Sequence, residues 1–313
     1  MSTDPISTSM SKRSSAIQNI VVPLDGSAES EAVLPYVRYI AQASNAKVIL
    51  FSSIYVPTTW MEFLAQIDKD KEKGAARTYL EAKRQILEGI TTEVEVVEGP
   101  PAKAILGFAE ASGADLIALT THGRSGVSRL VWGSVADKVL HSAQTPLLLV
   151  RPLEGAVQST PTLSIKRILV PLDGSELSRS VLPFAQTVAK ALGSSILLMR
   201  SVPSLWAGEP GAFVPTQHDR TLRESMDAAT HMLDRTVTEV EAAGLTASRT
   251  VTLGDPVDQI VRLAETESIG LIVMSTHGRS GIGRWVIGSV ADAVVRRTAV
   301  PSLLVRPQLT GHD

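Results

Sequence analysis

The sequence predicts an α/β protein with two tandem doubly wound domains, each built on a five-stranded parallel sheet. Two observations indicate this fold class. Three sequence blocks occur twice in the same order, and in each copy short apolar runs alternate with longer stretches of helical periodicity. Strands buried on both faces are apolar along their whole length, so this alternation is typical of a parallel sheet covered by helices. A chain of 313 residues is long enough for two domains of ordinary size.

The three blocks match residue for residue between the copies. They are Val-Pro-Leu-Asp-Gly-Ser at 22–27 and 170–175, Thr-His-Gly-Arg-Ser-Gly at 121–126 and 276–281, and Gly-Ser-Val-Ala-Asp at 133–137 and 288–292. The offset between the copies grows from 148 at the first block to 155 at the second. The second copy therefore carries seven extra residues in the middle of the unit, and we expect them in the loop around residues 206–215.

The strands follow in order along each copy. In the first copy, apolar or alternating runs predict strands at 19–23, 48–54, 92–97, 116–119 and 147–150. The second copy repeats the apolar runs at 168–171, 196–202, 271–274 and 303–305. Ligands of such sheets bind outside the carboxyl ends of the strands, where the strand order reverses. The first two repeated blocks lie there, after the first and fourth strands.

Helices are predicted between these strands. The segments 62–89 and 220–244 are long and charged, with apolar residues at helical spacing, and predict surface helices between the second and third strands. Glycine and proline at 99–100 and 254–256 indicate the turn into the next helix. Gly133-Ser134 and Gly288-Ser289 begin the last helix of each copy.

Composition excludes several classes of protein. There is no cysteine, so the chain has no disulfide, thiolate nucleophile or cysteine-bound metal. A net charge of −2 gives no general attraction for nucleic acid, and no apolar run approaches the ~18 residues of a membrane-spanning helix. The serine-rich residues 1–16 do not resemble a secretory signal and predict a disordered tail.

The start of the last helix is a candidate anion site. A helix N-terminus carries a partial positive charge and unpaired N–H groups, and the residues here are small, so phosphate is the expected ligand. Neither standard phosphate fingerprint is present, because no GxxxxGK[ST] motif occurs and Gly281-Ile-Gly283 is followed by Val286 in place of a third glycine. The alternative is that these glycines and serines serve only as turns and caps.

Together the three motifs resemble the universal stress protein family in its tandem two-domain form, over 17–152 and 166–307, with 153–165 as a linker. The resemblance implies a cytoplasmic stress-response protein with a nucleotide-binding-like fold that binds ATP in many members. Their loop reads G-x-x-G, nine residues, then G-[ST]. This chain matches that pattern except at the first glycine, where Thr120 and Ser275 stand.

Carried over position by position, the resemblance implies candidate ATP contacts in each copy, with nucleotide at one or both sites and Mg²⁺ as an optional companion ion. The implied contacts are Pro23, Leu24, Asp25, Thr120, Gly123, Arg124, Gly126, Gly133, Ser134 and Val135 in the first copy, and Pro171, Leu172, Asp173, Ser275, Gly278, Arg279, Gly281, Gly288, Ser289 and Val290 in the second. Asp25 and Asp173 have an alternative role as helix caps after a turn. The two loop arginines have an alternative role as solvated surface residues.

The function expected from these residues is nucleotide-responsive regulation of stress resistance. No constellation predicts a dedicated enzyme, and His122 and His277 have no evident partner carboxylate, so ATP hydrolysis is expected to be weak at most. One alternative is a stress protein that works through protein–protein interaction, in which Thr120 and Ser275 close the pocket. Another is a weak ATPase or nucleotidyl enzyme of a related family.

The resemblance also predicts the assembly. In the family the last strand commonly pairs two domains, and here those strands are 146–151 and 301–306. We expect them to pair within one chain as a pseudo-twofold pair. A homodimer of chains is a second expectation, with protein partners that the sequence does not name.

Overall fold

The computed structural model describes residues 16–55, 62–121, 133–152, 163–203, 215–276 and 287–307. The first copy contributes the strands β1 (Asn19–Pro23), β2 (Lys47–Ile54), β3 (Thr92–Glu98), β4 (Leu116–Thr120) and β5 (Leu147–Val150). The second contributes β6 (Arg167–Pro171), β7 (Ser195–Val202), β8 (Ala247–Leu253), β9 (Leu271–Ser275) and β10 (Ser302–Val305). All ten join in one sheet with the order β3-β2-β1-β4-β5-β10-β9-β6-β7-β8.

The helices of the first copy are α1 (Ala28–Glu31), α2 (Leu34–Ser44), α3 (Glu62–Lys83), α4 (Pro101–Ala111) and α5 (Ser134–Ser142). Those of the second are α6 (Glu176–Arg179), α7 (Leu182–Leu192), α8 (Pro215–Ala242), α9 (Pro256–Thr266) and α10 (Ser289–Arg297). Within each copy the described strands are parallel, in the order third, second, first, fourth, fifth. The predicted doubly wound fold is therefore confirmed.

Strand bounds agree with the predictions to within one residue, whereas the helix bounds differ more. The helix predicted over 62–89 ends at Lys83 and continues as a 3₁₀ turn, Arg84–Leu87. The helix predicted over 220–244 begins at Pro215, whose fixed φ suits a first helical turn. The seven extra residues lie between β7 and β8, since Val202 and Ala247 are 45 positions apart where Ile54 and Thr92 are 38 apart. Residues 204–214, in which we expected most of the insertion, lie outside the described residues.

Two core layers cover the sheet, one on each face, and each runs through both copies. One layer contains Leu80 of α3 and Leu233 of α8 together with strand residues of both copies. The other contains Val139 of α5 and Val294 of α10. The two copies therefore share their apolar cores across the junction between β5 and β10.

The copies pair through β5 and β10, which run antiparallel. Leu148 lies opposite Leu303, and these two residues occupy equivalent positions at the offset of 155. A pseudo-twofold axis therefore passes between them, perpendicular to the sheet, and the predicted pairing within one chain is confirmed. Beside the axis α2 contacts α7, and the Tyr39 hydroxyl accepts a hydrogen bond from the Ile165 amide at 3.4 Å.

No described helix is both long and apolar enough to cross a membrane. The tail at 1–16 and the linker at 153–165 fall largely outside the described residues, so those boundaries stay predictions.

Candidate functional site

An Asp-Gly-Ser turn joins β1 to α1. One carboxylate oxygen of Asp25, Oδ1, accepts hydrogen bonds from the Ser27 amide at 3.0 Å and the Ser27 hydroxyl at 2.5 Å. The Ser27 hydroxyl oxygen in turn accepts from the Ser30 amide at 3.1 Å and caps α1. The N-cap is therefore the serine, and the aspartate fixes the orientation of that serine.

The second copy builds the same turn between β6 and α6. Asp173 Oδ1 accepts from the amide and hydroxyl of Ser175 at 2.9 and 2.6 Å, and Ser175 accepts from the Ser178 amide at 3.1 Å. The glycines between aspartate and serine, Gly26 and Gly174, have φ of 85° and 84°. Because L side chains rarely adopt that conformation, the turn requires glycine at this position.

The residues before each aspartate are part of the sheet edge. Pro23 and Pro171 end their strands, and the side chains of Leu24 and Leu172 are buried in the core layer that also contains α2 and α7 residues. The Leu24 amide donates to the Phe51 carbonyl at 2.8 Å, as Leu172 does to Met199. Since those amides are already bonded to the neighbouring strand, backbone contacts from these leucines to a ligand would come from their carbonyl oxygens.

The glycine-rich loop leaves β4 and returns beside it. The Gly133 amide donates to the Thr121 carbonyl at 2.9 Å, and the Thr121 amide donates to the Val150 carbonyl at 3.0 Å. Gly288, Thr276 and Val305 repeat these contacts at 2.7 and 3.0 Å. The hydrogen bonds hold the two ends of each loop together at the carboxyl edge of the sheet.

Gly133 and Gly288 are the N-cap residues of α5 and α10, with φ near −60° in both. As glycines they provide no capping side chain, so neither N-cap residue occupies the first-turn amides of its helix. Ser134 and Ser289, the first helical residues, are exposed, and Val135 and Val290 are half-buried. A helix start of this kind suits an anion.

Thr120 and Ser275 are the last residues of β4 and β9, with relative exposures of 6% and 8%. They lie at the sheet edge beside the loop ends, where the stress-protein motif has its first glycine. The other predicted site residues, Gly123, Arg124, Gly126, Gly278, Arg279 and Gly281, lie outside the described residues, as do His122 and His277. Among the described residues no cluster of three or more histidine, aspartate or glutamate side chains could hold a metal ion.

Sequence reasoning missed a polar cluster behind the first turn. Glu31 of α1 accepts a hydrogen bond from the Tyr79 hydroxyl at 2.9 Å and pairs with the Lys83 ammonium at 2.7 Å. In the second copy Arg179 takes the place of Glu31, donating to Thr236 at 3.2 Å and pairing with Glu239 at 2.8 Å. In both copies an ion pair thus joins the short helix after the turn to the long helix. The short helix supplies the anion in the first copy and the cation in the second. No repeated motif signals this contact, because its residues differ between the copies.

This cluster gives a prediction for Tyr79→Phe. Burial raises the pKa of the Tyr79 hydroxyl, and the hydrogen bond to Glu31 raises it further. Loss of that bond should cost about 1 kcal/mol of unfolding free energy at neutral pH. A tyrosine whose folded pKa lies above its unfolded value stabilises the protein below the unfolded pKa, and this contribution is lost as pH rises through the folded pKa. Urea unfolding should therefore show the difference from wild type shrinking above about pH 10, and a constant difference would contradict it.

The comparisons with known proteins match both copies to one family. A model of the universal stress protein family matches residues 16–151 and again 164–306. The chain belongs to the universal stress protein family. Over 302 residues it is 22% identical to a universal stress protein of Mycolicibacterium smegmatis, covering 92% of this chain and 97% of that one.

A solved structure of a universal stress protein shares the fold over nearly the whole chain. The crystal structure of a universal stress protein from Archaeoglobus fulgidus covers 93% of this chain and 98% of its own, with a TM-score of 0.71 and 22% identity. A universal stress protein solved in complex with cAMP is 27% identical, covering 44% of this chain and 98% of its own, with a TM-score of 0.33.

Proposed function

We propose that this universal stress protein binds adenine nucleotide, with one ATP site in each copy, and acts as a nucleotide-responsive regulator of stress resistance in the cytoplasm. The main support is a pair of features that occurs at neighbouring strand ends in both copies. One is the turn held by the aspartate, and the other is the Gly-Ser helix start, which has no side-chain N-cap hydrogen bond. These ends, β1 with β4 and β6 with β9, are where the strand order reverses, which is the usual ligand position in doubly wound sheets.

Each part of the site has a chemical task in this proposal. The first-turn amides of α5 and α10 bind the phosphates, helped by the hydroxyls of Ser134 and Ser289. Asp25 and Asp173 lie at the adenosine or metal end, and Leu24 and Leu172 offer carbonyl oxygens to the base. Mg²⁺ would enter with ATP and neutralise phosphate charge.

The output of binding is conformational in this proposal. A nucleotide seated on the helix start would touch the glycine-rich loop that joins it to β4 or β9, and the loop surface would then differ between the bound and free protein. Protein partners, or a second copy of the chain, would respond to that surface. ATP hydrolysis is expected to be slow, and rapid multiple turnover by pure protein would contradict a regulatory role.

The first experiment measures nucleotide in freshly purified protein. After denaturation, the released small molecules are separated by anion exchange, and adenine nucleotide is quantified per chain. We expect close to two nucleotides per chain, or, for protein stripped of ligand, about 2.7 kcal/mol of added stability for each occupied site at Mg-ATP a hundredfold above its Kd. If no nucleotide is released and Mg-ATP leaves the Tm unchanged, the proposal is wrong.

A second candidate function is a stress protein that works through protein–protein interaction without nucleotide. It is favoured by Thr120 and Ser275, whose side chains stand buried at the loop edge where the motif has glycine. Thr120→Gly with Ser275→Gly separates the two functions. Nucleotide binding that appears only in this double variant would favour the second function.

A further inference from the structure

The antiparallel pairing of the copies places each last strand beside the last helix of the other copy. Because β5 and β10 run in opposite directions, the two candidate sites lie at opposite edges of the ten-stranded sheet. The residue that follows β10 therefore reaches the amino edge of the first copy, where α5 ends. The residue that follows β5 likewise reaches the end of α10.

Two arginines lie at these positions and contact the helix ends. The Nη1 atom of Arg306, after β10, donates to the Ala143 carbonyl at 3.2 Å, and Ala143 is the C-cap of α5. The Nη1 atom of Arg151, after β5, donates to the Arg296 carbonyl at 3.0 Å in the last turn of α10. Helix C-termini carry a partial negative charge, so a cation is favourable at both places. Burial lowers the pKa of Arg306, but a guanidinium stays charged at neutral pH.

The other ends of these two helices are the candidate phosphate sites. Each helix has nine residues, so the arginine contact and the Gly-Ser start are separated by about 13 Å of rigid helix. An arginine of one copy therefore helps to set the axial position of the helix start in the other. The far end of each candidate phosphate-binding helix is therefore held by a residue from across the pseudo-twofold axis.

Each arginine is also attached to its own site. Val150 directly precedes Arg151, and its carbonyl accepts from Thr121 at the start of the first loop. Val305 directly precedes Arg306, and its carbonyl accepts from Thr276 at the start of the second loop. A continuous path of hydrogen bonds and rigid helix thus joins the two sites in both directions.

We propose that Arg151 and Arg306 are positioning residues for the nucleotide sites, each holding the phosphate-binding helix of the opposite copy. This inference rests on the proposed function.

The test isolates one site at a time by titration calorimetry with Mg-ATP. In chains whose second site is blocked by Gly288→Asp, Arg306→Gln is expected to weaken ATP binding at the first site about threefold to tenfold. Arg151→Gln in the same background is expected to weaken it less. In chains blocked by Gly133→Asp the order of the two arginine variants is expected to reverse.

Three controls separate positioning from general damage. Arg306→Lys keeps the cation and should restore most of the affinity. Adenosine, which has no phosphate, should bind the Arg306→Gln variant as tightly as it binds the parent chain that retains Arg306. A loosened fold would instead weaken the binding of both adenosine and ATP. Tyr39→Phe removes a different contact beside the axis, the one to the Ile165 amide, and should leave the ATP affinity unchanged.

The outcomes are distinguishable from failure of the proposed function. If the chain binds no nucleotide at either site, the proposed function fails. If ATP binds but Arg306→Gln and Arg151→Gln act equally on both sites, or not at all, the nucleotide sites stand and the positioning role of these arginines is refuted.

Discussion

Replacing Gly133 with aspartate is expected to weaken ATP binding to the first copy about a hundredfold or more, while the folded protein keeps its stability. At φ −60° and ψ 138° any L residue adopts the backbone conformation of this N-cap position without strain. Aspartate is also among the best N-cap residues, and a negative charge at a helix start is favourable. The carboxylate would, however, accept hydrogen bonds from the first-turn amides in place of the phosphates, and its charge would repel the phosphates at close range. Calorimetric titration with Mg-ATP measures the affinity, and urea unfolding measures the stability.

Gly133→Asn is the matched control. Asparagine has nearly the same size and caps as well as aspartate, but it has no charge. It should weaken ATP binding about tenfold through competition for the amides, so the gap between the two variants reports the charge of the ligand. Gly288→Asp and Gly288→Asn repeat the comparison in the second copy. If Gly133→Asp bound ATP like the wild type, the phosphates would not lie at this helix start.

Most strands were predictable because strands buried on both faces are apolar along their whole length. Residues 147–150 are all buried, and the sequence Leu-Leu-Leu-Val contains no polar position that could suggest another state. The third strand of the second copy, Ala247–Leu253, is different because it lies at the sheet edge and contains the consecutive polar residues Ser248, Arg249 and Thr250. Its place followed from the repeat rather than from its own residues.

The turn after the first strand of each copy was recognisable from the sequence, but its contacts were only partly predictable. Asp25 and Ser27 were recognisable because Asp-Gly-Ser returns at 173–175, yet the structure assigns the cap to the serine. The arginine contacts to Ala143 and Arg296 had a weaker signal, the Arg-Pro pair that ends each copy. Backbone carbonyls accept these bonds, and any residue supplies a carbonyl, so no pattern at the acceptor could reveal them.

The largest effect on stability is expected from Leu303→Ala, at the axis between the copies. Leu303 lies opposite Leu148, and both are fully buried. Removing a buried leucine side chain typically costs about 2–5 kcal/mol, because lost burial and a residual cavity add together. Since both core layers extend through the two copies, the loss should destabilise the first copy as well as the second. Calorimetry should show a single unfolding transition at lower temperature.

Leu198→Ala provides the same truncation away from the axis, on β7 of the second copy, where Leu198 is also fully buried. Hydrogen exchange of the β1 and β4 amides then reports on the first copy alone. If the copies form one cooperative unit, both variants lower the protection of these amides in the most stable part of the first copy. If the copies unfold independently, Leu198→Ala leaves that protection unchanged and calorimetry resolves two transitions. A shared transition would also bear on nucleotide binding, because ligand in either site would then stabilise the whole chain.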